Sequence, residues 1–472
     1  MTCFHGRRYP ALRKDGANWT MKSLITMQED GLKKPNPPKR CHIITFGCQM
    51  NEYDSWRMAQ MVSRDYVLTN TAEDADLILV NTCSIREKAE HKLHSLLGRL
   101  KRLKSRNPAL RIGVTGCVAQ QLGTRLFKRA AHVDLVLGPQ GIYSLPKVLE
   151  CLEQGKTRLT ITSLEDNFCI PAVTDPPIEK GNVRAFVTIM QGCDNFCTYC
   201  IVPFVRGRET SRPSGDILKE IRSLAGQGVK DITLLGQNVN SYGKGLGEDI
   251  DFPGLLKEID RRFPGLRLRF TTSHPKDLSD SLIECFAGLG TLCEHLHLPV
   301  QAGSNRILKR MNRKYSIETY MERVEKLRST CPGISLTTDI IVGFPGETRE
   351  DFRATLELLR TVRFDQIFAF RYSERPGTAA AGFRDEVPEE IRRERLSQVI
   401  ELQNAIGLEQ YRKHENTVME CLIEKGRDGK LQGRTRGNHV VNLAGSDQLI
   451  GEILDVFIEK ACHHSLKGRI VN

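Results

Sequence analysis

The chain has 472 residues, with 69 Lys or Arg against 57 Asp or Glu and a formal charge of +12 at neutral pH. That length predicts about three domains, and no run of 18 or more apolar residues occurs, which excludes a helical membrane span. Fifteen cysteines without an apolar secretory segment predict a reducing, cytoplasmic setting and not a disulfide scaffold.

The first forty residues carry nine Lys or Arg against three acids, half of the formal charge, so the remainder is only mildly basic. Arg7, Arg8, Arg13 and Lys14, then Lys33, Lys34 and Lys39 among Pro35, Pro37 and Pro38, predict a disordered basic tail over 1–39. A solvated charge run explains it more simply than an arm for a polyanion.

Residues 40–162 contain a repeat. Strand-like runs at His42–Gly47, Ala75–Thr82 and Arg111–Gly116 end at Cys48, Cys83 and Cys117, and helical patterns follow at Tyr53–Arg64, Ile85–Lys104 and Ala119–Ala130. This alternation predicts an α/β fold with a parallel, Rossmann-like sheet. In such a sheet the carboxyl ends of the strands share one edge, where ligands bind. Any one of these cysteines alone reads as a small core residue. All three at the same point of the repeat, 35 and 34 residues apart, predict a three-thiolate metal site.

Residues 163–182, with three prolines and little periodicity, predict a linker. Cys169 and the other single cysteines (Cys3, Cys41, Cys151, Cys285, Cys293, Cys331, Cys421 and Cys462) have no partner at ligand spacing and read as structural or incidental.

The strand-like run Val183–Met190 leads into Gln191-Gly192-Cys193-Asp194-Asn195-Phe196-Cys197-Thr198-Tyr199-Cys200. Three thiols are one short of the four that close a structural zinc site or saturate a cubane iron–sulfur cluster. Zinc would need a fourth ligand from elsewhere, and no histidine stands near. A cluster with three cysteine-held irons and a fourth open for substrate fits the odd count. The spacing resembles the signature of the radical S-adenosylmethionine (SAM) superfamily, including Tyr199, at a position that in that family lies against the adenine of SAM.

Further strands are predicted at Asp231–Leu235, Leu266–Thr272, His295–Val300, Ser335–Val342 and Gln366–Tyr372, with helices such as Ser214–Gln227, Asp280–Ala287, Ile317–Ser329 and Arg349–Val362 between them. Six β/α units over 183–410 predict an open, partial barrel. The loops after its strands hold Gln237 and Asn238, then Thr271 to Pro275, then Gln301 and Ser304, then Gly343 to Glu347. Backbone donors and amide side chains at that edge suit the ribose, carboxylate and amine of SAM. His274, His295 and His297 read as core or turn histidines. After a charged helix over Glu389–Lys413, short strands predict a small all-β, OB-like barrel over 411–472 that grips nucleic acid, with Arg434 and Arg436 in its contact loop. An ordinary β subdomain is the alternative.

Over 40–472 the whole order resembles the methylthiotransferase family of radical SAM enzymes: an N-terminal three-cysteine domain, a radical SAM core and a C-terminal TRAM barrel. Gly47-Cys48-Gln49-Met50-Asn51-Glu52-Tyr53-Asp54-Ser55, Asn81-Thr82-Cys83-Ser84-Ile85-Arg86 and Val205-Arg206-Gly207-Arg208-Glu209 are most similar to the bacterial members that act on N6-isopentenyladenosine (dimethylallyladenosine) in tRNA. Relatives acting on threonylcarbamoyladenosine or on a ribosomal-protein aspartate carry different residues after the first Gly-Cys. Ala302 stands where a serine is common in the family.

The resemblance implies two 4Fe-4S clusters, one on Cys193, Cys197 and Cys200 that splits SAM to a 5′-deoxyadenosyl radical, and one on Cys48, Cys83 and Cys117 that delivers or holds sulfur. It further implies two SAM per turnover, SAM contacts among Tyr199, Gln237, Asn238, Gln301 and Ser304, a tRNA anticodon stem-loop as substrate, an unidentified electron donor and sulfur source, and a monomer. Rival readings are modification of threonylcarbamoyladenosine or a ribosomal protein, and a non-catalytic iron–sulfur RNA-binding protein.

Overall fold

The computed structural model describes residues 39–84, 87–166, 168–173 and 181–471. The predicted basic tail up to residue 38, and 174–180 of the predicted linker, lie outside the described residues. Two compact units divide the chain, Met1–Leu164 and Glu165–Asn472.

In the first unit, β1 (Lys39–Phe46), β2 (Tyr66–Leu68), β3 (Leu77–Thr82), β4 (Arg111–Gly116), β5 (Leu135–Leu137) and β6 (Leu159–Ile161) form one sheet in the order β2-β1-β3-β4-β5-β6. Every pairing is parallel. Strands buried on both faces must be apolar throughout, and β3, Leu-Ile-Leu-Val-Asn-Thr, is buried along its whole length. Ile78, Val80, Ile112 and Val114 pack on Leu93, Leu97 and Leu100 of the helix Glu87–Arg106. Leu77, Leu79 and Leu137 pack on the other side against Met58, Val62, Leu145 and Leu149. The three-residue strands β2, β5 and β6 went unpredicted because such runs are too short to show a period.

Two helices differ from expectation. The first spans Gln49–Val62 and so begins directly after Cys48, which occupies its N-cap position. The pattern over Ala119–Ala130 breaks into Cys117–Leu122 and Arg125–Arg129, since Gly123 takes a positive φ of 52° that suits glycine and stops the helix.

The second unit contains the six parallel strands of the partial barrel. These are β7 (Arg184–Thr188), β10 (Asp231–Leu235), β11 (Arg267–Thr271), β12 (His295–His297), β13 (Ser335–Val342) and β14 (Gln366–Arg371). Two sheets, β11-β10-β7 and β12-β13-β14, are joined by a bridge between Leu268 and Leu292. A small pair, β8 (Met190–Gln191) and β9 (Thr210–Ser211), lies beyond β7. Alternate residues Ile232, Leu234, Leu268, Phe270, Leu296, Leu298, Leu336 and Ile340 face the helices and make the main core. The other face of each strand lines the lumen. The last strands, β15 (Val418–Arg427), β16 (Lys430–Thr435), β17 (Val440–Ala444), β18 (Ile453–Ala461) and β19 (Leu466–Ile470), close into a barrel, β15-β16-β17-β19-β18.

The loop after β16 seats at the amino ends of the parallel strands. Arg267, the first residue of β11, donates to Arg434 O and Glu420 Oε1, both at 2.7 Å. Arg269 donates to Arg436 O at 2.7 Å and Thr435 O at 2.8 Å, and its Nε to Asp231 Oδ2 at 2.8 Å. Arg436 in turn forks onto Glu294 at 2.7 and 2.9 Å and reaches Leu292 O at 2.7 Å. Arg434 donates to Glu424 at 2.8 Å and to Asn438 O at 3.1 Å. Arg434 and Arg436, expected in an RNA contact loop, thus both bind protein partners at the end of the barrel opposite the strand-end loops, with 18% and 27% of their side chains exposed.

Arg269→Ala should therefore leave the carboxylate of Asp231, which is 1% exposed, with the more distant Arg184 at 3.7 Å, and deprive Arg436 O of its guanidinium partner. Breaking a buried pair on one side costs about 3–5 kcal/mol. The expected result is a lower unfolding midpoint for the full chain and earlier proteolysis near residue 412. An unfolding free energy within about 0.5 kcal/mol of wild type, the range of an ordinary surface substitution, would show the latch to be unimportant.

Candidate metal and cofactor sites

Register places the first three cysteines. Phe46 pairs with Thr82 and Thr82 with Gly116, so the ends of β1, β3 and β4 are level across the sheet. Cys48 follows two residues after Phe46, while Cys83 and Cys117 follow immediately after Thr82 and Gly116. The sheet order reverses between β1 and β3, and a reversal of this kind opens the crevice where α/β sheets bind ligands. Gly47 lets the strands close up there, since a Cβ on it would stand 2.7 Å from Cys83 Cβ.

A buried polar network lies under this edge. Asn51 Nδ2 donates to Asn81 Oδ1 at 2.9 Å and to Thr82 O at 3.2 Å, and Asn81 Nδ2 donates to Asn51 O at 2.8 Å and Ser55 Oγ at 2.9 Å. Thr82 Oγ1 donates to Thr115 O at 3.0 Å. Asn51 Oδ1 also faces the Cys48 thiol at 3.3 Å. Asn51 and Asn81 thus lock the ends of β1 and β3 together. Neither residue stands out in the sequence as a site residue, although both lie within the stretches Gly47–Ser55 and Asn81–Arg86.

In the second unit, Cys193, Cys197 and Cys200 occupy one loop after β8. Gly192 turns the chain at φ 80°, and its N–H donates to Gln237 Oε1 at 2.6 Å. Thr198 fastens the middle of the loop: its N–H donates to Met311 O at 3.0 Å, its hydroxyl to Arg310 O at 3.0 Å, and its carbonyl accepts from Ala380 N at 2.8 Å. Asn312 Nδ2 donates to Phe196 O at 2.9 Å. The loop is therefore braced by segments that follow β10, β12 and β14.

Asn195 Nδ2 points at Cys193 Sγ (3.4 Å), and Arg313 Nη1 lies 3.5 Å from both Cys197 Sγ and Tyr199 Oη. Burial, with the neighbouring thiols adding to it, pushes Cys193 up to about 11 and Cys200 up to about 12. Crowded thiols that resist ionisation need an added positive charge to become thiolates, and a bound metal supplies it. Among the described residues, no three His, Cys, Asp or Glu side chains already converge at metal-ligand geometry, so both triads are placed by strand register and by their neighbours.

The expected SAM contacts fall at the carboxyl edge in different ways. Tyr199 packs edge-on against Phe344 at 6.4 Å. Gln237 is engaged by Gly192, Ser304 Oγ donates to Asp351 at 2.5 Å, and Asn238 Nδ2 donates to Asp277 at 2.8 Å. Gln301 bridges β13 through its backbone at φ 75°. Three buried polar atoms there have no hydrogen-bond partner among the described residues: Asn238 Oδ1, Ser273 Oγ and His274 Nε2. Buried polar atoms of this kind call for a partner, which a bound polar ligand or a water can supply.

His274, read from sequence as a core or turn residue, has functional potential. Burial, reinforced by Arg313, pushes it down to about 2, so the ring stays neutral. Its Nδ1 accepts from Lys276 N at 3.3 Å, which leaves the proton on Nε2 as an unused donor. Arg313 carried no sequence signal at all.

Three stretches match described families: residues 40–138 the uncharacterized protein family UPF0004, residues 187–359 the radical SAM superfamily, and residues 412–471 the TRAM domain. The chain is 50% identical over 439 residues to the tRNA-2-methylthio-N(6)-dimethylallyladenosine synthase of Syntrophobacter fumaroxidans, covering 92% of this chain and 96% of that one. It is 48% identical to the protein of that name from Geotalea uraniireducens, covering 92% and 99%. In fold it is similar to the radical SAM methyltransferase TsrM of Kitasatospora setae, solved with cobalamin and a [4Fe-4S] cluster, at a TM-score of 0.56 and 13% identity over 84% of this chain and 81% of that one.

Proposed function

Since the chain belongs to the tRNA-2-methylthio-N(6)-dimethylallyladenosine synthase family of radical SAM methylthiotransferases, we infer that it places a methylthio group on C2 of N6-dimethylallyladenosine beside the anticodon of tRNA. The observation that carries this reading is the presence, in one chain, of two three-cysteine sets, each at the carboxyl edge of parallel strands. Cys193, Cys197 and Cys200 would hold the 4Fe-4S cluster that engages SAM, and Cys48, Cys83 and Cys117 the second cluster. When bound, these groups with SAM supply a carbon-centred radical able to take hydrogen from an aromatic carbon, together with the sulfur and the methyl group. C2 of adenine offers no acidic proton to a base, so acid–base groups alone could not activate it.

The chain's own residues position the reactants. Gln237 and Thr198 fix the cysteine loop, Arg313 offsets the negative charge gathered at Cys197, and Tyr199 presents a ring face for adenine. Asn238, Ser273 and His274 offer polar atoms to the ribose and amino-acid parts of SAM. An anticodon-loop base is single-stranded and splays into a pocket at low cost. The TRAM barrel grips the RNA on a surface other than the seated loop of Arg434 and Arg436. We place the enzyme in the cytoplasm as a monomer supplied with electrons by a separate reducing protein; no helix among the described residues is long and apolar enough to cross a membrane.

Full-length protein, reconstituted anaerobically and reduced, should methylthiolate an isopentenylated anticodon stem-loop and leave a threonylcarbamoyl stem-loop and ribosomal protein unmodified. Product on either of the latter substrates alone would overturn the assignment.

A further inference from the structure

The lumen of the partial barrel has a floor and an unusual wall. At the floor, the loop after β16 reaches His295, whose Nε2 lies 3.4 Å from Asn438 Nδ2. Register then orders the lumen-facing residues upward: His297 is level with Thr337, Asp339 with Phe368, and Ile341 with Phe370. On β14 the alternate residues Ile367 and Ala369 pack against the helical core. Phe368 and Phe370 point the other way and are 45% and 49% exposed.

Two large aromatic rings left open on an inner wall are unexpected in a packed barrel, where such positions are normally filled. Their neighbours are polar. His297 sits edge-on to Phe368 at 5.8 Å, with Nδ1 3.0 Å from Thr337 Oγ1 and Nε2 3.5 Å from Asp339 Oδ1.

We propose that Phe368 and Phe370 form the stacking slot for the target base, with His297 and Asp339 offering polar contacts to its edge and Ile341 apolar contact to its N6 dimethylallyl branch. This rests on the substrate inferred above. Same-face residues two apart on a strand stand about 7 Å from each other, roughly twice the ~3.4 Å rise of stacked bases, so one flat ring fits between two such side chains. SAM has its own aromatic partner in Tyr199, at the rim beside Phe344, and its own polar atoms beside β10 and β11. The closed floor means that an occupant enters from the carboxyl edge, where the chemistry is.

The test uses anaerobically reconstituted full-length protein and two anticodon stem-loops, one isopentenylated and one carrying plain adenosine. Phe368→Ala and Phe370→Ala should each weaken binding of the isopentenylated stem-loop roughly tenfold, within the range for loss of one base–aromatic stack. Reductive SAM cleavage without RNA should stay at the wild-type rate. Phe368→Tyr should restore affinity, and Phe368→Ile, apolar but unable to stack, should not. Unchanged affinity, rescue by isoleucine, or a parallel fall in SAM cleavage would each overturn the proposal, the last by assigning the rings to SAM. If wild type itself shows no preference for the isopentenylated stem-loop, the substrate reading fails first and the slot with it.

Discussion

Cys83→Ala should leave reductive SAM cleavage near the wild-type rate and abolish the methylthio product. Cys83 is fully buried, directly follows Thr82, which is level with Gly116 on β4, and is close-packed against Gly47. Replacing a buried thiol by a methyl group costs about 1 kcal/mol of stability, too little to unfold the unit. It removes one of only three thiolates at that edge, and iron analysis should fall from about eight per chain, as two cubane clusters require, to about four. The cysteine loop of the second unit, fixed by Gln237 and Thr198, is untouched. Methylthio product from the variant, or loss of SAM cleavage along with it, would refute the division of labour between the two triads.

The complementary loss comes from a residue that bears no ligand. Gly192→Ala puts a methyl group into the backbone carbonyl of Arg208, with Gly207 O behind it, at a φ of 80° that a side chain rarely adopts. Neither contact is with a flexible side chain, so the loop must move, and the hydrogen bond from Gly192 N–H to Gln237 goes with it. The expected result is again about four irons per chain, but now with SAM cleavage lost and the first unit's cluster retained. A Gly192→Ala protein that still holds about eight irons and cleaves SAM normally would show that the triad tolerates a displaced loop.

The sequence disclosed the parts of the fold that repeat. Cys48, Cys83 and Cys117 could be placed at one edge because parallel strands end together, and strand register bears this out at Phe46, Thr82 and Gly116. Length set the limit in the same sheet. β2, β5 and β6 have three residues each and present no period to read. Side-chain partners were harder still to foresee. Gln237 stands in a strand-end loop, as expected of a SAM contact, yet its carbonyl oxygen is taken by Gly192. Arg434 and Arg436, between glycines and beside Asn438, read as an exposed basic loop. Arg436 instead meets Glu294, 142 residues earlier in the chain, and no local pattern encodes that pairing. Arg313 is equally silent in sequence, because an arginine in a charged stretch after a helix looks like solvent-facing charge until its burial beside Cys197 is seen.

Grafting a foreign barrel onto this chain at residue 411 would leave Arg267 and Arg269 facing solvent without the carbonyls of 434, 435 and 436, and Glu294 without its guanidinium. A chimera would fold well only if the donor loop carried an arginine at the matching place and an equivalent path of carbonyls. For module exchange in this chain, β11, the turn before β12 and the seated loop therefore act as one block, and a boundary drawn at residue 411 cuts through it.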